Sequence, residues 1–401
     1  MLRLLFLTPQ LPHPPRQGTA IRNWGLIKSL SARHEITLLA FADATDSITP
    51  ELRATCRRIE AIPAPHRPAA LRLRDLLLSP LPDLAHRLYS PAYEAQLASL
   101  IQSNTFDAIF VEGLELARPI TNDPLPITIY DAHNCETLLQ RRAFETDRRD
   151  LRRWPVALYS FIQSRRLARF EADACRRATY VTCVSNQEAS ALKALSPEVN
   201  PVVIPNGIFL SDYQPPPLPR PSAPRLVFTG KMDYRPNIDA VTWFANNSLP
   251  LIQRERPDVQ FAIVGQKPAG AVRRLAARSG IIVTGAVEDA RPHIGGAAVY
   301  VAPLRMGGGT RFKLLEAMAL KRPIVSTAIG AEGFAVQNGR EALIADSARD
   351  FADAVVTLLR DEPKRVALGE AGYEFVKGYD WGRIVPKVEA LLWRRLRDAP
   401  L

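Results

Sequence analysis

Short apolar runs alternate with amphipathic segments of helical length along most of this chain. Such alternation is typical of parallel β-sheets whose strands are connected by covering helices. The strand candidates fall into two series, which are Arg3–Leu7, Glu35–Phe41, Asp107–Val111, Ile127–Tyr130, Tyr180–Cys183 and Val202–Ile204, and then Arg225–Thr229, Val259–Val264, Ile281–Thr284, Val299–Ala302, Pro323–Ser326 and Ala342–Ile344. The sequence therefore predicts an α/β protein with two Rossmann-like domains.

A proline-rich stretch separates the two series, with six prolines in residues 215–224. Proline fixes φ and donates no backbone hydrogen bond, so this density excludes a helix or a central strand. We therefore predict an N-terminal domain over 1–210, a linker over 211–224 and a second domain over 225–375. The amphipathic segment 376–401 is predicted to form a helix that packs back on the N-terminal domain.

The net charge of +11 favours an anionic partner, and the excess is concentrated in one segment. Between Arg141 and Arg177 lie eleven arginines and five acidic residues. Trp154, Leu158 and Phe161 share a helical face there, which is the composition of a helix resting on an anionic membrane. The same face would equally suit packing on the domain core. Base-stacking aromatics are not apparent, so no nucleic acid partner is expected.

The four cysteines lack metal-ligand spacing and are too few to crosslink a chain of 401 residues, which fits a reducing compartment. The apolar start ends at Thr8-Pro9 and is interpreted as a buried strand rather than a signal peptide. We expect a cytoplasmic location, with peripheral attachment to the inner face of the membrane as a further hypothesis.

A glycine-rich loop, Gly307-Gly308-Gly309-Thr310, joins strand candidate Val299–Ala302 to a segment of strong helix formers. Glycines let the backbone approach a ligand closely, and the free amides of a helix N-terminus attract an anion. Arg311 and Lys313 add cations in the first turn, where the helix dipole disfavours them unless an anion compensates. The loop therefore predicts a phosphate site, with a flexible strand-to-helix turn as the alternative.

The runs 285–289, 301–319 and 322–327 closely resemble the donor half of the family-four retaining glycosyltransferases (glycosyl transferases group 1), in the subgroup with a GGGTR-type loop. Gly230–Asn237 and Ile204–Ile208 resemble the same family. The resemblance implies the GT-B fold, in which two Rossmann-like domains face each other across a cleft. It also implies a retaining hexosyltransferase that needs no cofactor and takes a nucleoside diphosphate sugar as its donor substrate.

The resemblance also assigns donor-binding residues. Glu316 would accept hydrogen bonds from the ribose, Lys231 would neutralise the diphosphate, and the loop from Gly285 to Val287 would meet the nucleobase through its backbone. Gly308 stands where the commoner pattern has a glutamate, eight residues before Glu316, so loop amides with Arg305 or Lys313 are expected to contact the sugar. The full predicted donor set is Lys231, Gly285, Val287, Arg305, Gly307, Gly308, Gly309, Thr310, Lys313 and Glu316.

Asp131 and His133 follow strand candidate Ile127–Tyr130, at the edge where open α/β sheets place ligands. By resemblance, His133 would approach the transferred sugar. Asp131 is placed to orient the ring of His133, so both are catalytic candidates; helix capping is the alternative for each. Gly18, Thr19 and Arg22 resemble the family's acceptor-side loop, although an ordinary turn explains them nearly as well. No Asp-x-Asp triplet occurs, so we expect no metal.

The predicted function is sugar transfer to a glycan or lipid-linked acceptor in cell-surface glycan or exopolysaccharide synthesis. Two alternatives stay open at this point. One is a sugar-nucleotide epimerase of the same architecture, which would need additional acid/base carboxylates. The other is a non-catalytic protein that binds nucleotide sugars, which the absent glutamate at position 308 makes thinkable.

Overall fold

The protein, seen in a computed structural model, is described at residues 1–15, 18–118, 127–213, 223–307 and 311–398, with side chains up to Arg394. The chain forms two compact units. Unit 1 comprises Met1–Gly207 with Trp381–Leu401, and unit 2 comprises Ile208–Asp380. Among the described helices, none combines the length and the apolar character that crossing a bilayer requires.

The described strands of unit 1 form one parallel seven-stranded sheet in the order β3-β2-β1-β4-β5-β6-β7. The strands are β1 (Arg3–Thr8), β2 (Glu35–Ala42), β3 (Arg58–Pro63), β4 (Ala108–Glu112), β5 (Ile127–Ala132), β6 (Tyr180–Cys183) and β7 (Val202–Val203). The helices are α1 (Gly18–Ser31), α2 (Pro50–Thr55), α3 (Ala69–Leu78), α4 (Asp83–Arg87), α5 (Pro91–Ser103), α6 (Glu136–Asp147), α7 (Trp154–Arg177) and α8 (Asn186–Leu195). Leu4, Leu5 and Phe6 are fully buried, as a central strand requires.

Strand β3 is absent from the strands that the sequence pattern predicts. Among the described strands it is an edge strand that pairs only with β2, and its polar residues Arg58 and Glu60 alternate with apolar ones. A strand that buries little apolar surface leaves no continuous hydrophobic run, which is the reason the pattern misses it.

The described strands of unit 2 form a parallel six-stranded sheet in the order β10-β9-β8-β11-β12-β13. The strands are β8 (Arg225–Thr229), β9 (Gln260–Val264), β10 (Ile281–Gly285), β11 (Val299–Ala302), β12 (Ile324–Ser326) and β13 (Leu343–Ile344). The helices are α9 (Arg235–Trp243), α10 (Leu249–Glu255), α11 (Gly270–Leu275), α12 (Arg291–Gly295), α13 (Phe312–Ala319), α14 (Ala348–Arg360) and α15 (Glu362–Val376). The two Rossmann-like α/β sheets that the sequence predicts are therefore confirmed. Of the predicted linker, 214–222 lie outside the described residues, and Leu210–Asp212 form a single 3-10 turn.

The last helix, α16 (Trp381–Asp398), belongs to unit 1 and packs on α1. Ile384, Val388, Leu391 and Leu392 are buried along one face of α16. Trp381 is only 1% exposed and lies so close to Gly25 of α1 that a β-carbon there would stand 2.0 Å from its Cε2 atom. Only glycine at position 25 leaves room for the indole ring of Trp381.

We expect Gly25→Ala to lower the free energy of unfolding of unit 1 by about 3 kcal/mol, because the added methyl group forces Trp381 out of its seat. Denaturant unfolding followed by tryptophan fluorescence measures the change. Gly378→Ala is the matched control, since a β-carbon at position 378 meets nothing within 4 Å. Equal unfolding midpoints for the two variants would contradict this account of α16.

Candidate functional site

Three polar side chains of unit 1 meet where neighbouring strands of its sheet end. Glu112 pairs in register with Asp131 of β5, and Asp131 pairs with Thr182 of β6. All three side chains are buried, Glu112 completely. His133 follows Asp131 by two residues, so the carboxyl edge of the sheet gathers a histidine between two carboxylates.

Arg22 of α1 lies against this cluster and is 1% exposed. Its Nε and Nη2 atoms donate to the two oxygens of Asp131 at 2.5 and 2.7 Å. Its Nη1 atom donates to the backbone oxygen of Ile204 and to Asn206. Burial opposes the ionised form of Asp131, but the charge and hydrogen bonds of Arg22 hold the pKa of Asp131 below its usual range. Asp131 is therefore a fixed carboxylate that no longer has a free oxygen.

The His133 imidazole is held in a charged form. Its Nε2 atom lies 3.0 Å from Glu112 Oε2 and 3.5 Å from Asp131 Oδ2. Burial opposes protonation, yet hydrogen bonds to Asp131 and Glu112 raise the pKa of His133 to about 9. The charged form of the ring is therefore favoured at neutral pH. Its Nδ1–H has no acceptor among the described residues, so it is available as a charged hydrogen-bond donor rather than as a base.

Glu112 is a residue of this cluster that the sequence analysis missed. Burial, reinforced by the charge of Asp131, raises the pKa of Glu112 to about 7. Its Oε1 atom is buried without a hydrogen-bond partner in the described part of the chain. The only sequence signal was an acidic residue directly after an apolar strand, which no motif distinguishes from an ordinary strand end.

Two further carboxylates fix the backbone that carries His133. Glu188 accepts a hydrogen bond from the amide of Cys135, and Glu171 accepts two at 2.9 Å from the amides of Glu136 and Thr137. These are first-turn amides of α6, which have no acceptor inside their own helix. The turn between β5 and α6 is thereby anchored to α7 and α8, and His133 with it.

Of the predicted acceptor-side loop, Arg16 and Gln17 lie outside the described residues. Gly18 begins α1 and is exposed, and Thr19 is half-buried. Arg22 alone of the three predicted residues reaches the buried cluster. Asn23 follows Arg22. In the amide orientation that satisfies both its oxygen and its nitrogen, the Asn23 side-chain nitrogen donates to the Thr19 carbonyl oxygen and to Glu112 Oε2.

A second polar group lies in unit 2, where β8, β9 and β11 end. Gly230 and Gly265 follow β8 and β9 with φ of 155° and 147°, and a β-carbon on Gly265 would stand 1.8 Å from the Gly230 carbonyl oxygen. Only glycine permits so close an approach of two backbones. Gly307 follows β11 with φ of 103°. Gly308, Gly309 and Thr310 lie outside the described residues, so their predicted contacts stay a prediction.

Lys313 lies in the first turn of α13, beside the glycine-rich loop. Its Nζ atom donates to Asn237 Oδ1 at 3.0 Å and stands 4.0 Å from the centre of the Phe228 ring. No described carboxylate forms an ion pair with it. Burial and the charge of Arg311 lower the pKa of Lys313 to about 7. A shielded amino group that forms no ion pair with a described carboxylate, at a helix N-terminus, is well suited to receive an anion.

Glu316 lies one turn further along α13. Its Oε1 atom accepts a hydrogen bond from the Tyr213 hydroxyl at 3.1 Å, and burial raises the pKa of Glu316. None of the described donors reaches the Oε2 atom. One carboxylate oxygen is therefore held in place and the other is available. Tyr213 has no motif around it and was missed by the sequence analysis.

The other predicted donor residues are more exposed. The Lys231 side chain is 41% exposed and lies 3.6 Å from Asp233. Arg305 forms a two-point ion pair with Asp239 and stands over the Trp243 ring. Both follow strand ends of the same sheet, but neither contacts Lys313 or Glu316 in the described structure.

Gly285 ends β10 with φ of 71°, and the register of β10 against β9 shifts at this residue. No atom stands within 4 Å of a β-carbon built there, so the backbone angle rather than space requires glycine. Val287 packs partly buried against the core of unit 2. This backbone turn is what the predicted nucleobase contact would use.

The set Glu112, Asp131 and His133 places ligand atoms of three metal-binding side chains within 4.8 Å of one another. Arg22 already occupies both oxygens of Asp131, and its cationic group would repel a divalent ion. The donor set is therefore poorly suited to a metal, and metal independence stays a prediction.

Comparison with known families covers most of the chain. Residues 17–207 match the family described as glycosyl transferase 4-like domain, and residues 223–361 match glycosyl transferases group 1. The chain belongs to the group 1, family-four-like glycosyltransferases. The GGGTR-loop subgroup that the sequence suggests stays a prediction.

Several curated glycosyltransferases resemble the chain. It is 31% identical over 207 residues to a phosphatidyl-myo-inositol mannosyltransferase of Propionibacterium freudenreichii, covering 48% of this chain and 50% of the relative. It is 28% identical over 238 residues to a GDP-mannose-dependent alpha-(1-6)-phosphatidylinositol monomannoside mannosyltransferase of Mycobacterium tuberculosis, covering 53% and 61%. The matches thus span about half the length of these curated relatives.

Solved structures agree on the fold of this glycosyltransferase. Sucrose-phosphate synthase from Thermosynechococcus elongatus matches with a TM-score of 0.76 at 19% identity, over 100% of both chains. HepE of Anabaena, in complex with UDP and glucose, matches with a TM-score of 0.66 at 14% identity, over 98% of this chain and 99% of that one. At these identities the likeness establishes the GT-B fold.

Proposed function

We propose that this protein transfers a sugar from a nucleoside diphosphate sugar to a lipid-linked or polysaccharide acceptor, with retention of the anomeric configuration. The one-bond carbon–proton coupling at the anomeric centre of the product, measured by NMR, tests the retention. Synthesis of a cell-surface glycan or exopolysaccharide is the process that fits such an acceptor.

The observation that carries the proposal is the shielded Lys313 side chain at the start of α13, which forms no ion pair with a described carboxylate. A diphosphate there would be met by a cation, by the free amides of the helix N-terminus and by the glycine-rich loop. The same groups stabilise negative charge that develops on the diphosphate as it leaves the sugar. Glu316 stands one turn away with an available oxygen for ribose hydroxyls.

We assign His133 a polar contact to the transferred sugar. With Nε2 held by Glu112 and Asp131, the charged Nδ1–H is the group that remains to donate to a hydroxyl or to the departing oxygen. A fixed donor of this kind costs no reorganisation when the sugar reacts. The pair formed by Arg22 and Asp131 acts through His133 as a positioning element.

The relatives suggest where to begin with substrates. Two of them are named as mannosyltransferases that act on phosphatidylinositol or its monomannoside, and one as GDP-mannose-dependent. We therefore propose a lipid-linked acceptor ahead of a soluble one, and GDP-mannose as the first donor to test. Neither choice is forced by a side chain, because the predicted base contact at Gly285 uses the backbone.

Donor binding is the direct test of the proposal. We expect one of GDP-mannose, UDP-glucose, dTDP-glucose or ADP-glucose to raise the melting temperature, since a ligand at 100 times its Kd stabilises by about 2.7 kcal/mol. Free mannose and glucose serve as controls and should leave the melting temperature unchanged. If none of the nucleotide sugars stabilises the protein, the proposed function is wrong. Stabilisation without transfer to any lipid or glycan acceptor would instead favour a non-catalytic binding protein.

We expect glycosyl transfer to continue undiminished in EDTA, because Lys313 and the helix amides would neutralise the diphosphate without a divalent ion. Initial rates with EDTA and with added Mg²⁺ or Mn²⁺ measure this. A rate that EDTA abolishes and Mn²⁺ restores would show that metal independence is wrong.

Incubation of the protein with the donor alone, without any acceptor, tests the epimerase alternative. An epimerase would convert the donor to a second nucleotide sugar without any acceptor, which analysis of the nucleotide-sugar pool detects. In unit 2, Glu316 is the carboxylate beside Lys313 in the described site, and Tyr213 already holds it. We therefore keep glycosyl transfer as the proposed function.

A further inference from the structure

Helix α7 has an inverted distribution of side chains over its first three turns. Its inward face carries small or polar residues, and Ala157, Ser160 and Gln163 are buried there. Its outward face carries Trp154 and Leu158, which are 59% and 60% exposed. A surface helix of a globular protein normally points its apolar stripe inward. The sequence left open whether this face packs on the core, and the structure places it outside.

Helix α3 lies beside α7 and repeats the feature. It has no fully buried residue, and Leu73, Leu77 and Leu78 are 59%, 71% and 79% exposed. Arg166 of α7 donates to the carbonyl oxygen of Leu76 at 2.8 Å, at the last turn of α3. Arg166 also donates to the carbonyl oxygen of Asp75 at 3.4 Å. The exposed leucines therefore stand on a helix that is fixed to α7.

Arginines accompany the exposed apolar side chains of α7. Arg148, Arg149 and Arg152 lie in the turn between α6 and α7, and all three are exposed without an ion pair to any described carboxylate. Leu151, in the same turn, is 80% exposed. The Arg165 guanidinium lies 4.7 Å from the centre of the Phe161 ring on the outward face. Exposed apolar groups on α3 and α7, together with the unpaired arginines of the α6–α7 turn, are what we call the α3–α7 surface.

We infer that the α3–α7 surface docks on an anionic lipid bilayer. The leucines and Trp154 would enter the boundary between headgroups and acyl chains, while the arginines remain among the phosphates. A second copy of the chain suits this surface less well, because a two-fold contact would set the unpaired arginines against one another. The inference rests on the proposed function in one respect, because docking would bring the protein to a lipid-linked acceptor in the membrane.

Flotation of the full chain with vesicles tests the inference. We expect binding to phosphatidylcholine vesicles that contain about 30% phosphatidylglycerol, little binding to pure phosphatidylcholine, and release at about 1 M salt. Leu73→Ser with Leu77→Ser should reduce the partition coefficient about tenfold or more. Arg148→Gln with Arg149→Gln should do so by about tenfold.

Matched controls lie in unit 2. Val366→Ser changes an exposed apolar residue, and Arg273→Gln with Arg274→Gln removes two exposed charges; both should bind as the wild type does. Circular dichroism of each variant reports its folding.

Absence of wild-type binding to both vesicle types would overturn the inference, and so would binding that ignores lipid charge. A dimer in sedimentation that the leucine substitutions dissociate would assign the surface to a second copy instead. Donor-induced thermal shifts should be unchanged in all surface variants. Vesicle binding without any donor shift would therefore contradict the proposed function alone, and a donor shift without vesicle binding would contradict this inference alone.

Discussion

Replacing His133 by alanine is expected to lower kcat for glycosyl transfer about 100-fold or more, while the donor Kd changes by less than about threefold. The imidazolium supplies a charged donor that is already oriented by Glu112 and Asp131, whereas the groups proposed to hold the diphosphate lie in unit 2. Transfer rates at saturating donor, together with donor titration by calorimetry, separate the two effects.

The pH dependence of kcat in the wild type tests whether the charged form of His133 is the active one. Because the pKa of His133 is raised to about 9, kcat should be constant near neutrality and fall as pH rises through about 9, where Nδ1 loses its proton. Glu112→Gln removes an anionic neighbour and should move the fall to lower pH. His66→Ala changes an exposed histidine of the same unit and should leave rate and profile as they are. A full rate for His133→Ala would remove this residue from the site.

Lys313→Met is expected to raise the donor Kd about 10-fold to 100-fold, because a charge-assisted contact to the diphosphate is lost. In the wild type the pKa of Lys313 is lowered to about 7, so the free site loses its charge as pH rises above 7. A bound diphosphate favours the charged form, hence binding takes up a proton and donor affinity should weaken between about pH 7 and 9. The variant should lack this pH dependence.

Controls for Lys313→Met separate binding from folding. Without donor, the variant should unfold close to the wild type, since the loss of the hydrogen bond to Asn237 is offset by removal of a charge that burial disfavours. Lys231→Met should weaken the donor less, because its side chain is 41% exposed and already beside Asp233. Lys364→Met, at an exposed position on α15, should change nothing. A larger effect at Lys231 than at Lys313 would reverse the roles proposed for the two lysines.

Periodicity was sufficient for the strands that lie inside the two sheets. β1 and β11 are buried on both faces, so their apolar runs stand out in the sequence. β3 was missed because an edge strand with Arg58 and Glu60 buries too little apolar surface to leave such a run. Periodicity also places Trp154 and Leu158 on one face of α7. It does not determine whether that face points toward the core or toward solvent. That is decided by the small residues opposite, which pack inward.

The site residues divide in the same way. Asp131, His133, Lys313 and Glu316 follow strands or open a helix at predicted positions, so their neighbourhood could be anticipated from the sequence. Glu112 and Tyr213 reach the site only through the order of strands and the path of the chain, which leave no local pattern. The difference in burial between Lys231 and Lys313 depends on Phe228 and Asn237. The spacing of residues along the sequence does not predict pairwise packing of this kind.

The seat of Trp381 against Gly25 has a consequence for how the protein is made. Unit 1 begins at the first residue but is completed only by α16, after all of unit 2 has been synthesised. While the ribosome is still translating, the face of α1 that α16 covers stays open to solvent and to unwanted partners. A nascent chain that stops before residue 381 therefore carries an unfinished domain at its start, and quality control can recognise it there.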